Sequence, residues 1–214
     1  MFNIFVSNTM SIAQRKAKEK ENLKALILNS AKKLFLEKGI EQTTIRNIAD
    51  AISYSIGTVY VYYKDKNAIL NDLHTEGFIQ LGGEMRVLSA VDEPMERLKA
   101  MGRVYINFAL NNPEMYDLMF TVKAPMTYLE QEKQEEWNEG KATFGFLQTT
   151  VEDCFKAGYF KGHRAEPLTF TIWSVVHGMC ALHLSHRVKA VNLESPERAV
   201  FDAYEEFILM LNPK

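Results

Sequence analysis

The stretch SYSIGTVYVYYKDK, residues 53–66, decides how the rest of the chain is read. Its centre, residues 56–63, is dense in β-branched and aromatic side chains, the composition of a β-strand. Periodicity does not arbitrate. Ile56, Val59, Tyr60 and Tyr63 fall at i, i+3, i+4 and i+7 as on a helix, while Ile56, Thr58, Tyr60 and Tyr62 alternate as on a strand. Context arbitrates instead: no other segment offers a strand to pair with, and a lone strand leaves its backbone groups unsatisfied. Ser55 is placed to cap a helix beginning at Ile56, so the sequence predicts a short helix held by tertiary packing.

The flanks are helical too. Upstream, Leu23, Ile27, Ala31, Leu34 and Phe35 make one apolar stripe over residues 21–38, and Gly39 supplies a stop. Thr43 and Thr44 offer caps for a two-turn helix whose Ile45, Ile48, Ala49 and Ile52 share a face. Downstream, Asp65 caps a helix to about residue 88, and Pro94 suits the first turn of the next. NPEMYDLMF forms a short helix, TVKAPMTYLE a loop, and residues 130–157 one long helix ending before Gly158. Pro167 opens a helix to about residue 189, and Ser195 with Pro196 opens the last, which ends before Pro213. The result is eight or nine helices and no sheet.

At 214 residues, 47% apolar and 24% charged, the chain is long enough for one large domain or a small one fused to a larger. No apolar run reaches the roughly 18 residues that suggest a membrane span, and the opening MFNIFVSNTM lacks a signal peptide's basic n-region. No membrane and a cytoplasmic location are expected; residues 1–10 read as a flexible extension. Cys154 and Cys180 are too few for a disulfide framework and read as buried thiols. His183 and His186 stand three apart on one helix without a cysteine or carboxylate cluster, so neither a metal nor another cofactor is expected. The net charge of −2 hides a polarity: residues 11–70 carry 11 Lys and Arg against 6 Asp and Glu, and residues 71–214 carry 14 against 21. A basic module that meets a polyanion, joined to a body that does not, fits this split.

Two short helices joined by a tight turn and braced by a longer one match a helix-turn-helix. The run ILNSAKKLFLEKGIEQTTIRNIADAISYSIGTVYVYYKDKNAIL, residues 27–70, resembles the DNA-binding domain of TetR-family transcriptional regulators over its whole length. AKKLFLEKG, TTIRNIA and GTVYVYYKDK fall in register with that family's first helix, second helix and the run into its fourth. The resemblance implies an all-α fold of about nine helices: a flexible basic arm over residues 1–20, a three-helix helix-turn-helix domain over 21–66, and a larger helical ligand-binding and dimerisation domain over 67–214. It also implies that Thr44 caps the second helix and touches a phosphate, and that Arg46 reaches the groove, where Arg most often reads guanine. Ser55 starts the recognition helix, and Ile56, Gly57, Thr58 and Val61 face base edges. Tyr60, Tyr62 and Lys66 contact phosphates, and Val59 and Tyr63 pack inward. In the arm, Arg15, Lys16, Lys18 and Lys20 are candidate phosphate contacts, the alternative being a solvated helix extension with Glu19 and Glu21 interleaved. Three positions depart from the family pattern. Ser53 replaces the usual turn glycine and must accept a left-handed backbone; Tyr54 replaces a small aliphatic residue; Ile56 replaces a polar or basic one, which predicts apolar contact, as with a thymine methyl.

In the C-terminal body, Tyr105, Phe108, Met115, Tyr116, Met119, Phe120, Phe144, Leu147, Trp173 and His177 are the candidate ligand-pocket residues, a mostly apolar set. FTIWSVVHGMCALHLSHR resembles the Trp-His-Gly signature of one TetR subgroup at Trp173, His177 and Gly178, as does NPEMYDLMF. His177 either hydrogen-bonds a ligand or pairs with a buried acceptor. The resemblance further implies a homodimer through the last two helices, with Ala199, Val200, Ala203, Phe207 and Met210 as a seam. No nucleophile–base pair, phosphate-cradling glycine loop or metal-ligand spacing is present, so no enzyme is expected. The expected function is a ligand-responsive regulator of double-stranded DNA, a repressor released from a palindromic operator by a small, largely apolar molecule. The alternative is a helical small-molecule-binding or adaptor protein without operator binding.

Overall fold

The computed structural model describes residues 11–131 and 138–211. Among these the chain is all-α, with no strand. The helices are α1 (Ile12–Lys38), α2 (Ile45–Ala51), α3 (Ile56–Tyr62), α4 (Lys66–Arg86), α5 (Pro94–Asn111), α6 (Pro113–Phe120), α7 (Ala124–Gln131), α8 (Asn138–Lys156), α9 (Ala165–Leu184) and α10 (Ala199–Leu211), with short 3-10 turns at Val87–Ala90 and Arg187–Ala190. The chain divides into two compact units, Met1–Leu73 and His74–Lys214.

In the N-terminal unit, α1 starts well before the expected residue 21. Ser11 and Gln14 form a reciprocal capping box, Ser11 Oγ accepting from Gln14 N at 3.2 Å and Gln14 Oε1 from Ser11 N at 2.8 Å. The next residues, AQRKAKEKENLK, are mostly straight-chain helix formers. Residues 11–20, expected as a flexible arm, are therefore the opening turns of α1; residues 1–10 lie outside the described residues. Ile27, Ala31 and Leu34 of the expected stripe are buried, joined by Leu28. α1 packs on α2 and α2 on α3, with Ile48 and Ala49 of α2 and Val59 of α3 all at 0% exposure. Ser53 takes the left-handed backbone that the turn demands, φ 58°, and Tyr54 N bonds back to Ala49 O at 3.0 Å. The unit ends after Leu73 instead of after Lys66 because the first turns of α4 are bonded into it. Asp72 accepts from Tyr63 Oη at 3.0 Å and pairs with Lys24 Nζ at 2.7 Å.

In the C-terminal unit, α5 lies against α8 and α9, and α10 against α9 and α5. Gly102 of α5 is the point of closest approach: a Cβ there would collide with the ring of Tyr204, whose hydroxyl donates to Lys99 O at 2.8 Å. Four boundaries differ from expectation, the first being α9, which spans Ala165–Leu184 instead of running from Pro167 to about residue 189. Residues 124–131 form α7 where a loop was expected, because Pro125 falls in the first turn, where a missing N–H costs nothing. The long helix expected over 130–157 is described only from Asn138, as α8. The last helix begins at Ala199, after a turn in which Arg198 N bonds to Ser195 O at 3.1 Å.

Candidate DNA-reading surface and ligand cavity

The two short helices of the N-terminal unit are positioned by their own polar ends. Thr44 and Asn47 cap α2 reciprocally: Thr44 Oγ1 accepts from Asn47 N at 3.2 Å, and Asn47 Oδ1 accepts from Thr44 N at 3.0 Å. Ser55 Oγ accepts from Thr58 N at 3.0 Å and lies 2.9 Å from Thr58 Oγ1, which caps α3 and ties the two hydroxyls together. With Val59 and Tyr63 turned inward, the opposite face of α3 is left to solvent. Val61 is 76% exposed, Tyr60 53% and Tyr54 46%; Ile56, Thr58 and Tyr62 are half-buried. Gly57 is exposed, and a Cβ there would meet only Ser55 Oγ, at 3.6 Å. The unit itself therefore makes no demand for glycine at 57. Arg46, Arg15 and Lys16 are exposed, and Arg46 has no ion-pair partner among the described residues. Lys66 is engaged differently from expectation: its ammonium donates to Ile40 O at 2.7 Å and holds the α1–α2 turn. Thr43, fully buried, donates from Oγ1 to Gly39 O at 2.8 Å, with Leu34 O at 3.2 Å. It fixes the angle at which α2 leaves α1.

The C-terminal unit holds a partly open cavity of about 200 Å³, walled by α4, α5, α6, α8, α9 and α10. Tyr105, Phe120, Phe144, Leu147 and Trp173 line it, as expected of candidate pocket residues. The other five do not. Phe108 is core at 1% exposure. Met115 and Met119 lie over Gly77 of α4, where an added Cβ would come within 2.8 Å and 2.5 Å of their sulfurs. Tyr116 and His177 form a layer behind the wall: His177 stacks on Tyr116 at 5.3 Å and meets Phe120 edge-on at 5.0 Å. His177 Nδ1 is 2.9 Å from Tyr105 Oη and 2.8 Å from Tyr116 Oη, and Tyr116 Oη also donates to His177 O at 3.1 Å. A consistent arrangement has the ring proton on Nδ1, donated to the two phenol oxygens, with Tyr116 donating in turn to the carbonyl. Burial raises the pKa of both phenols and lowers that of His177, so this polar node is uncharged near neutral pH. The cavity thus offers apolar walls with neutral hydroxyls behind them, a setting for an apolar ligand.

The N-terminal unit and the cavity both fall inside family matches. Residues 27–73 match the family model "Bacterial regulatory proteins, tetR family", and residues 98–205, more than half of the chain, match "Tetracyclin repressor-like, C-terminal domain". The chain belongs to the TetR family. The first match ends at Leu73, where the N-terminal unit ends. The description of the second does not name the Trp-His-Gly subgroup. A curated relative, the "Uncharacterized HTH-type transcriptional regulator YuxN" of Bacillus subtilis, is 23% identical over 78% of this chain; the chain spans about half of that protein's length, 54%. Among solved structures, a TetR-family regulator from Syntrophomonas wolfei superposes with a TM-score of 0.67 at 21% identity, covering 91% of this chain and 98% of that one. The fatty acid degradation regulator FadR of Bacillus halodurans superposes with a TM-score of 0.66 at 17% identity, covering 89% and 95%. At such identities the likeness is one of fold.

Several wall residues of this TetR-family cavity escaped the sequence reading. Phe78, Leu81 and Met85 of α4, Met101 of α5, and Tyr204, Phe207 and Ile208 of α10 line it. Their spacing marks them as buried helix faces, but nothing local distinguishes a face that meets a cavity from one that meets another side chain. The single local hint is Gly102, whose place is taken up by the ring of Tyr204.

Proposed function

We propose that the chain is a homodimeric, ligand-responsive transcriptional regulator, a repressor released from a palindromic operator in double-stranded DNA by a small, largely apolar effector. The observation that carries the operator reading is the outer face of α2 and α3: an exposed, unpaired Arg46, a glycine at 57 that the unit does not require, and uncovered Tyr60 and Val61. A side chain missing at 57 lets a partner approach the backbone, and the surplus of cations over residues 11–70 suits phosphates. Arg15, Lys16, Thr44, Tyr60 and Tyr62 are the proposed phosphate contacts; Lys66, held by Ile40 O, supports the turn first.

The dimer reading is supported by surface that the protomer leaves uncovered. α9 is long and apolar enough to cross a membrane by length and composition, with only 22% of that stretch buried. Phe170 and Leu182 on α9 are 59% and 55% exposed, and Leu209 and Met210 on α10 are 65% and 72% exposed. A second copy would cover this apolar surface. Of the expected seam, Val200 and Phe207 are instead consumed inside the protomer, so Phe201 and Leu209 take their place beside Ala203 and Met210. Two half-sites then multiply the contacts that one seven-residue helix makes alone. An apolar molecule in the cavity releases the operator to the extent that it prefers the conformation that binds DNA poorly.

The test is fluorescence anisotropy with palindromic duplexes drawn from around the protein's own gene. Site-specific binding that weakens steeply with salt and is relieved by an apolar cavity occupant is expected. Binding that is neither site-specific nor salt-sensitive would leave the adaptor reading.

A further inference from the structure

Resting on the operator reading above, we infer that the protein recognises its half-site chiefly through thymine C5-methyl groups, and that Ile56 and Val61 are the side chains that recognise them. The reasoning starts from what α3 lacks. Bidentate recognition of a base edge needs Arg, Lys, Asn or Gln, or a carboxylate facing cytosine, and Ile56–Tyr62 contains none of these. Its remaining small polar groups are partly committed: Ser55 Oγ accepts the Thr58 amide, and one of the two hydroxyls donates to the other across 2.9 Å. On α2, Asn47 is held in the capping box with Thr44, which leaves Arg46 as the unengaged fork-shaped donor of that helix.

What α3 does present is apolar. Val61 is 76% exposed, the most exposed large apolar side chain on the described surface. It stands one turn beyond Gly57, which puts no side chain beside it, and three residues beyond the small Thr58. Ile56, at the first position of the helix, is half-buried; five residues before Val61, it stands about 140° around the helix from it, so its uncovered part borders the face that Val61 centres. Thymine is the one base that offers an apolar group in the major groove. An isopropyl group against that methyl removes apolar surface of both from water, and the surrounding excess of cations holds the face against phosphates. Arg46 is then left to supply the one directional contact.

The experiment begins by selecting duplexes from a random pool with the full-length protein, then replaces each thymidine of the selected half-site by deoxyuridine, which deletes only the methyl. One or two thymidines per half-site should each show about a fourfold loss of affinity on replacement, the equivalent of about 0.8 kcal/mol for one buried carbon. That loss should vanish in Val61→Ala or Ile56→Ala, whose melting temperatures verify folding. Changing the same T·A pair to 5-methylcytosine·G should bind better than cytosine·G. Unchanged affinity for every deoxyuridine duplex, or the same loss in both alanine variants, would overturn the inference while leaving operator binding intact. Selection of no duplex at all would overturn operator binding and this inference with it.

Discussion

The N-terminal unit and the C-terminal cavity are both helical, yet their functional surfaces are assembled over different distances along the chain. Around α2 and α3 the polar atoms that set geometry pair at short range: Thr44 with Asn47, Ser55 with Thr58, Thr43 with Gly39. The cavity wall runs from Phe78 to Leu211 and is held by packing, with Tyr204 seated on Gly102. A side chain on the outer face of α3 is therefore free to change what the protein binds without changing how it folds. In the cavity wall one side chain serves both ends, and binding and stability change together.

Substitutions sharpen this contrast, and the largest effect is expected in the N-terminal core. Ile48→Ala, at a position with 0% exposure, should cost about 2–5 kcal/mol and unfold the unit in denaturant titrations. Val61→Ala, on the outer face, should stay within about 0.5 kcal/mol of wild type. Equal losses in the two variants would break the distinction between core and reading face.

Acid should act on the other unit. His74, at 1% exposure, has its pKa pushed down to about 4 from 6.5, mainly by burial and against a hydrogen bond to the Met119 backbone. The unfolded chain therefore takes up the proton first. The contribution is fully present above pH 6.5 and is lost as pH falls towards 4, about 3 kcal/mol in total. Denaturation at pH 7 and pH 4.5 should show this loss, and His74→Phe should flatten it. His177, also lowered by burial, adds in the same direction.

Gly102→Ala should follow, at about 1–3 kcal/mol, because Tyr204 is held by Lys99 O and has little room to withdraw. Calorimetry with an apolar probe should show weakened binding in the same variant; unchanged binding would separate the cavity from the packing of α10. The smallest effect is a gain. Ser53→Gly removes a left-handed non-glycine residue, φ 58°, and should stabilise the N-terminal unit by about 1 kcal/mol with operator affinity unchanged.

The same contrast explains what was legible in the sequence. Ser55 as a cap follows from a local pattern, Val59 and Tyr63 inward and Ser53 as a left-handed turn follow from the family resemblance, and the structure has each of them. The start of α1 is hidden in the sequence by its charge, which resembles that of a loose arm, although Ser11 and Gln14 spell a capping box. In the body, aromatic content pointed to the cavity only in part. Tyr105, Phe120 and Trp173 line it, while Tyr116 and His177 stand one layer behind, and no spacing rule separates a first layer from a second. The aliphatic walls from α4 and α10 were invisible for the same reason: which buried face meets empty space depends on helices far away in the sequence.

The central claim is that the exposed face of α2 and α3 binds DNA. The most direct measurement is the affinity of the full-length protein for a selected duplex across a salt series, with Arg46→Ala alongside wild type. Wild type should lose affinity linearly in log salt, with a slope near −0.9 for each phosphate neutralised. Arg46→Ala should bind the selected duplex at least tenfold more weakly while melting at the same temperature; tenfold corresponds to about 1.4 kcal/mol, within the range of one good base contact. Affinity that is indifferent to salt, or identical for selected and scrambled duplexes in both proteins, would contradict the account.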